Sequence, residues 1–224
     1  MRAGQGPRSL PREAPPDPQL SLNTARLYVI TPDREPGQVV DLARAVLRGG
    51  ADVLQLRHKT LPRGKLLELA RSLRELTSAA QVLFIVNDHV DIALIAGADG
   101  VHLGPDDLSI ESARRLAPAG FLIGASASTP AVAVAAVSGG ADYIGCGATF
   151  STPLKPNKEV IGPEGVAAVS AAVRVPVFAI GGIDESNLLQ LKAIGLHRAC
   201  VIRAIADAPN PGLATRRLRA MLNE

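Results

Sequence analysis

Aromatic residues are almost missing from this chain: 224 residues include no Trp, two Tyr and four Phe. A surface that stacks nucleic-acid bases on rings interleaved with basic side chains needs more than that. Charge of one sign is not concentrated either. Lys and Arg number 24 against 21 Asp and Glu, a net +3 with pI near 9.1, and the two signs alternate without a dense basic block. No nucleic-acid partner is expected, whereas a small anionic substrate fits. Cysteine is scarce. Cys146 and Cys200 stand far apart with no CxxC spacing, which predicts two buried, reduced thiols in a cytoplasmic protein. No apolar run approaches the ~18 residues of a membrane span, so no membrane partner is expected.

What the chain does have is small and branched apolar residues. Hydrophobic residues make up 47% of it, enough for a sizeable core, and Ala, Val, Leu, Ile and Gly supply the packing. That mix suits helices laid closely on a parallel sheet. The first 22 residues are rich in proline, carry no apolar period and lack the hydrophobic region of a signal peptide. Residues 1–22 are therefore read as a disordered arm outside the fold, with one catalytic domain over 23–224.

A short motif punctuates the rest. "GGAD" occurs at 49–52 and at 139–142, "GADG" at 97–100, and "GLHR" at 195–198 stands in the same context. Each follows a helix-like segment and precedes a run of β-branched or aromatic residues, so the glycine is placed to stop a helix. Cutting at these stops predicts strands at 26–31, 52–57, 82–87, 100–103, 121–126, 143–146, 176–180 and 199–202. Helices are predicted at 36–48, 62–79, 88–96, 109–117, 129–138, 163–172, 186–194 and 212–222. Strict alternation implies parallel strands with helices outside. Eight units over about 200 residues predict a single TIM (β/α)8 barrel. An open doubly wound sheet would carry a glycine-rich turn after the first strand, where this chain has "YVITPDREP".

In such a barrel the second strand, "DVLQLRHK", is unusual. Gln55, Arg57 and Lys59 alternate, so they share one face and climb towards the C-terminal rim. Two cations there would be costly to desolvate unless paired. A bound anion such as a diphosphate would pair them; so would ion pairs to a neighbouring loop. Polar residues also follow the other strands and never precede them: Asn87-Asp88, "PDD" at 105–107, "GASAST" at 124–129, the long loop "GCGATFSTPLKPNKEV" and "AIGGID". Asp88 and Asp107 near a diphosphate suggest Mg²⁺, a hard cation held by one or two carboxylates plus phosphate and water. Each could equally cap the helix that follows it. The paired glycines of "IGGI" and the strand end "VIRAI" offer N–H groups to a phosphate. Lys155, beside Thr152, reads as a lid over an anion or as an ordinary solvent-facing lysine. The four histidines form no metal spacing and pair with no nucleophile. His102 is expected to pack on the turn of strand four.

The ordered set "QLRHK", "FIVNDHVDIAL", "GADGVHLGPDD", "GASAST", "GADYIGCGATFST", "FAIGGI" and "VIRAI" resembles the thiamine-phosphate synthase family over about residues 24 to 222. The resemblance implies a transferase. It would join 4-amino-2-methyl-5-hydroxymethylpyrimidine diphosphate to a thiazole phosphate and release diphosphate through a resonance-stabilised pyrimidine cation. It implies that Gln55, Arg57, Lys59 and Asn87 hold the pyrimidine diphosphate and that Asp88 and Asp107 bind Mg²⁺. Ser126 would contact the diphosphate, and Thr152 and Lys155 would bridge the leaving group and the thiazole. Gly182, with the Ile202 and Arg203 backbone, would hold the thiazole phosphate. Arg57, Lys59, Lys155 and Ser126 are then the catalytic set. A homo-oligomer is left open.

Three positions depart from the family pattern: Leu154 stands for a hydroxyl residue in "TPLK", Pro105 for a glutamine, and Ser128 for a frequent histidine. Two alternatives follow. One is a thiazole tautomerase-like isomerase, which shares the fold but uses a histidine in the fifth loop and tends to lose the metal acids. The other is a paralogue that binds phosphate ligands with little turnover.

Overall fold

Period-two alternation divides every strand of this protein between two apolar cores. The structure, a computed structural model, describes residues 17–151 and 159–223. Eight parallel strands close in chain order: β1 (Leu27–Ile30), β2 (Val53–Leu56), β3 (Leu83–Asn87), β4 (Gly100–Leu103), β5 (Leu122–Ala127), β6 (Tyr143–Cys146), β7 (Val177–Ile180) and β8 (Ala199–Val201). β8 returns to β1, with Cys200 opposite Tyr28. Around them lie α2 (Pro36–Gly49), α3 (Arg63–Ala80), α4 (Val90–Ala96), α5 (Ile110–Leu116), α6 (Pro130–Ser138), α7 (Gly162–Ala172), α8 (Leu188–Lys192) and α10 (Pro211–Asn223). This is the TIM barrel expected from the alternation. No helix among the described residues is long and apolar enough to cross a membrane.

One core joins the outward strand residues, such as Leu54, Leu56, Phe84, Val86 and Val101, to the helices. Helix α2 shows how: Val39, Leu42, Ala43 and Val46 recur at helical spacing and are buried. The other core fills the barrel with Tyr28, Ile30, Val53, Leu83, Ile85, Leu122, Tyr143, Phe178 and Cys200. Cys146 belongs to the outer core and Cys200 to the inner one, and both are buried. The inner core has room for its rings because a strand residue facing them has no side chain. A Cβ on Gly124 would lie 2.1 Å from Tyr143 Cζ.

Two helices were not anticipated. Helix α1 (Pro18–Thr24) lies mostly within the expected arm and corrects it. Asp17 accepts a hydrogen bond from Gln19 N at 2.9 Å and proline opens the helix, so one turn is well started. Its Leu22 is completely buried and joins the inner core. A single buried leucine makes no period, which is why the pattern was invisible. Residues 1–16 lie outside the described residues. Helix α9 (Arg203–Ala206) is a single turn after β8. Helix α4 begins at Val90 rather than at the predicted 88 because Asp88 has φ +64°.

The repeated tetrad has a structural cause. Gly50, Gly97 and Gly140 adopt φ values of +89°, +66° and +104°, which end the helices. The aspartate after each then ties down the start of the preceding strand, the neighbour of its own. Asp52 Oδ2 accepts from Arg26 N and Leu27 N, both at 2.8 Å; Asp99 Oδ2 accepts from Phe84 N at 2.8 Å; Asp142 Oδ2 accepts from Ile123 N at 2.7 Å. An arginine meets each of them, Arg219, Arg74 and Arg114 in turn. In "GLHR" the arginine Arg198 replaces the acid, and it donates instead to Asn23 O at 2.8 Å.

Two outcomes are expected from this arrangement. Asp142→Ala strands the Ile123 N–H and removes the ion-pair partner of Arg114, and should lower unfolding stability by about 2–3 kcal/mol in urea titrations. Gly124→Ala must displace Tyr143 and should cost about 1–3 kcal/mol in the same measurement. Wild-type stability in either variant would refute the corresponding role.

Candidate active site at the C-terminal mouth

The β1 and β2 ends are laced together at the mouth. Thr31, just past β1, is fully buried, and its Oγ1 accepts from Arg57 N at 3.0 Å and donates to Arg57 O at 3.1 Å. Asp33 Oδ1 accepts from Lys59 N at 2.7 Å, while its Oδ2 meets Arg57 Nη1 at 3.3 Å. The alternative of ion pairs is thus realised for both cations, since Lys59 Nζ lies 2.5 Å from Asp88 Oδ2. Arg57 and Lys59 flank the mouth together. Gln55 lies one layer deeper, 1% exposed, and its Nε2 donates to Tyr28 Oη at 2.8 Å.

Asp88 and Asp107 come from different strands and meet. Asp88 follows Asn87, the last residue of β3, and its N–H donates to His102 O at 2.9 Å. A non-glycine residue at positive φ is uncommon and strained; here it turns the carboxylate to Lys59. Asp107 Oδ2 accepts from Gly104 N at 2.7 Å, closing the turn after β4. Neither acid caps a helix: α4 has His89 at its cap, and α5 uses Ser109, whose side chain accepts from Ser112 N. Burial raises the Asp88 pKa, but hydrogen bonds from Lys59 and Asp107 outweigh it and hold the carboxyl below its ordinary value. Burial raises Asp107; the Gly104 N–H opposes this, and the Asp88 carboxylate pushes it further up. The two carboxyls are thus driven apart, Asp88 downward and Asp107 upward, as neighbouring like charges are.

Below the mouth a polar line crosses the barrel. Tyr28 Oη and Tyr143 Oη are 2.9 Å apart, Tyr143 Oη is 3.3 Å from His102 Nδ1, and His102 Nε2 is 3.0 Å from Ser126 Oγ. His102 is thus inside the barrel, not packed on the strand-four turn. Burial pushes its pKa down to about 4, against a weak opposing pull from Asp88, so the ring is neutral. Burial also raises both tyrosines and the Cys200 thiol. A cavity of about 30 Å³ touches Gln55, His102, Ser126 and Ile180.

The β7 and β8 ends complete the ring. Gly181 and Gly182 have positive φ, and Asn187 Nδ2 donates to Gly182 O at 2.7 Å. Ile202 precedes the first turn of α9, whose opening N–H groups have no partner within the helix. The Arg203 side chain turns aside, with Nε donating to Asp207 Oδ2 at 2.8 Å. Thr152 and Lys155 lie outside the described residues. Sequence reasoning missed Asp33, Tyr28, Tyr143 and His102. Strand parity could have found the last three, because each sits on the inward side of its strand. Asp33 shows no pattern at all.

A family profile described as thiamine monophosphate synthase matches residues 27–205. The thiamine-phosphate synthase of Methanoculleus marisnigri is 47% identical over 200 residues, covering 86% of this chain and 93% of that protein. The enzyme of the same name from Pyrococcus furiosus is 41% identical, covering 90% and 97%. A solved structure of thiamine phosphate pyrophosphorylase from Pyrococcus furiosus superposes with a TM-score of 0.84 at 40% identity, covering 91% of this chain and 98% of that one. A 3-hexulose-6-phosphate synthase, 21% identical with a TM-score of 0.69, shares the fold alone. With a closed barrel, a mouth lined by two cations and two acids, and these relatives over most of its length, the chain belongs to the thiamine-phosphate synthase family of transferases.

Proposed function

We propose that this chain condenses 4-amino-2-methyl-5-hydroxymethylpyrimidine diphosphate with 4-methyl-5-(2-phosphoethyl)thiazole, or its carboxylated form, to give thiamine phosphate and diphosphate. The observation that carries the reading is the meeting of Arg57, Lys59, Asp88 and Asp107 at one rim, with the Ser126 hydroxyl beneath. Such a rim suits a leaving group of high negative charge. Arg57 and Lys59 hold the departing diphosphate, with Asn87 and Ser126 as neutral contacts. Their charges act where negative charge develops. Asp33 fixes the path of the Arg57–Lys59 segment from below. The N–H groups at Gly182 and at the start of α9 receive the thiazole phosphate, as the loops after strands seven and eight do in many barrels. Because the Arg203 guanidinium is engaged by Asp207, Arg203 contributes its backbone rather than its charge.

The donor set fits Mg²⁺. Asp88 and Asp107 offer hard carboxylate oxygens on neighbouring strand ends, and Asp88 already pairs with one cation, the Lys59 ammonium. Asp88 and Asp107 would bind the ion, and its chemistry there is neutralisation of the leaving diphosphate. The reading needs no activated nucleophile, and burial holds the Cys200 thiol well above its ordinary pKa. The work of the chain is to bind, to orient two flat substrates and to steady a leaving charge. The isomerase alternative lacks its base, since exposed Ser128 occupies that place in the fifth loop. Reduced thiols and small soluble substrates fit a cytoplasmic enzyme.

Incubating the chain with both substrates and Mg²⁺ should yield thiamine phosphate, read by chromatography; absence of product would end the proposal. Asparagine tolerates positive φ, so Asp88→Asn tests charge rather than backbone. That variant should lose turnover by on the order of a hundredfold or more. Asp33→Ala should raise KM for the pyrimidine diphosphate by roughly tenfold to a hundredfold through misplacement of the cations, and an unchanged KM would dismiss Asp33.

A further inference from the structure

Five side chains from five strands make one hydrogen-bonded line under the mouth: Gln55, Tyr28, Tyr143, His102 and Ser126. Such a line has a direction, because each member owns a fixed number of protons. Gln55 presents Nε2, which only donates, to Tyr28 Oη. Either tyrosine oxygen can be the donor in their 2.9 Å contact; with Gln55 donating to Tyr28, the arrangement that leaves no proton of the line unpaired has Tyr28 donating to Tyr143. Tyr143 in turn donates to His102 Nδ1. A neutral imidazole that accepts at Nδ1 carries its proton on Nε2, and that nitrogen faces Ser126 Oγ at 3.0 Å. Ser126 therefore accepts from the ring, and its own hydroxyl proton must turn elsewhere.

We propose that His102 is a positioning residue: with its proton on Nε2, set by the line that starts at Gln55, it holds the Ser126 hydroxyl as a donor towards the mouth. The acceptor it suits is a phosphoryl oxygen of the diphosphate, so the ligand rests on the function proposed above. Gln55 then acts at a distance: it sets the polarity of the line from a 1% exposed position rather than touching the diphosphate. The opposite amide orientation would reverse every proton. Ser126 would then donate to His102 and present lone pairs, which suit an amino group and repel a phosphate. Polarity is thus a specificity device.

The fold accommodates this line at some expense in side chains. Gly124 leaves space for the Tyr143 ring, and a Cβ on Gly145 would come within 3.1 Å of His102 Cε1. Both tyrosines of the chain are in the line. Successive bonds of this kind polarise one another in a low-dielectric interior.

The test is the tautomer. In the full chain labelled with ¹⁵N-histidine, proton–nitrogen correlation spectra should show His102 as a single Nε2–H form, its signals assigned by their loss in His102→Gln. An Nδ1–H form, or an averaged pair, would overturn the proposal. Tyr143→Phe keeps the ring and removes the donor, so the His102 signals should become averaged. Its affinity for inorganic diphosphate with Mg²⁺ should fall about tenfold, as one hydrogen bond predicts. Ser126→Ala should lose the same, and the double variant no more than either alone; additive losses would count against the relay. Should Tyr143→Phe fail to fold, the wild-type spectrum still decides. A wild type showing the Nε2–H form without making thiamine phosphate would remove the proposed reaction and support the line.

Discussion

A side chain on a barrel strand has two destinations, the inside of the barrel or the layer beneath the helices, and chain parity chooses between them. Everything at the mouth depends on that constraint. Val53 faces inward, so Gln55 does as well, and the chain beyond β2 brings Arg57 and Lys59 to the rim. On β4 the same parity sends His102 inward, and on β5 Ser126. A one-residue slip of any strand would bury its apolar set against the wrong core and expose the polar one, so register and function are selected together.

Electrostatics then govern the rim. Two neighbouring carboxyls are unfavourable, and the pair is relieved by the Lys59 ammonium on Asp88 and the Gly104 N–H on Asp107. Lys59 is half exposed, so its ion pair adds little to stability. What the pair supplies is placement, because it brings the ends of β2 and β3 together at one rim. Arg57 is held through its backbone on Thr31 and its guanidinium on Asp33, and Lys59 through its backbone on Asp33 and its ammonium on Asp88.

Much of the fold was legible because its signals are local. Helix stops at Gly50, Gly97 and Gly140 need only a glycine in the left-handed region, and each strand lies within two residues of its predicted bounds. The rim residues were legible by position, since polar clusters followed strands. What escaped was non-local. The aspartates of the tetrad reach strands 15 to 26 residues away, as with Phe84 and Asp99 or Arg26 and Asp52. Helix α1 contributes one leucine whose partners lie throughout the barrel. Asp33 is an ordinary loop acid until the fold brings β2 beside it.

The scarcity of rings acquires a meaning at this point. A barrel interior is filled by a few layers of side chains, and here Tyr28, Tyr143 and Phe178 form one aromatic group, with centroids 5.4 to 5.9 Å apart. Two of the three carry hydroxyls, and a buried hydroxyl without a partner is costly. Each tyrosine therefore demands a neighbour, and the demands are met in sequence by Gln55, the other tyrosine and His102. Phenylalanine at both positions would have filled the same volume without that requirement. The polar line is thus not needed to pack the barrel, and it ends on a serine hydroxyl, Ser126, at the C-terminal end of β5.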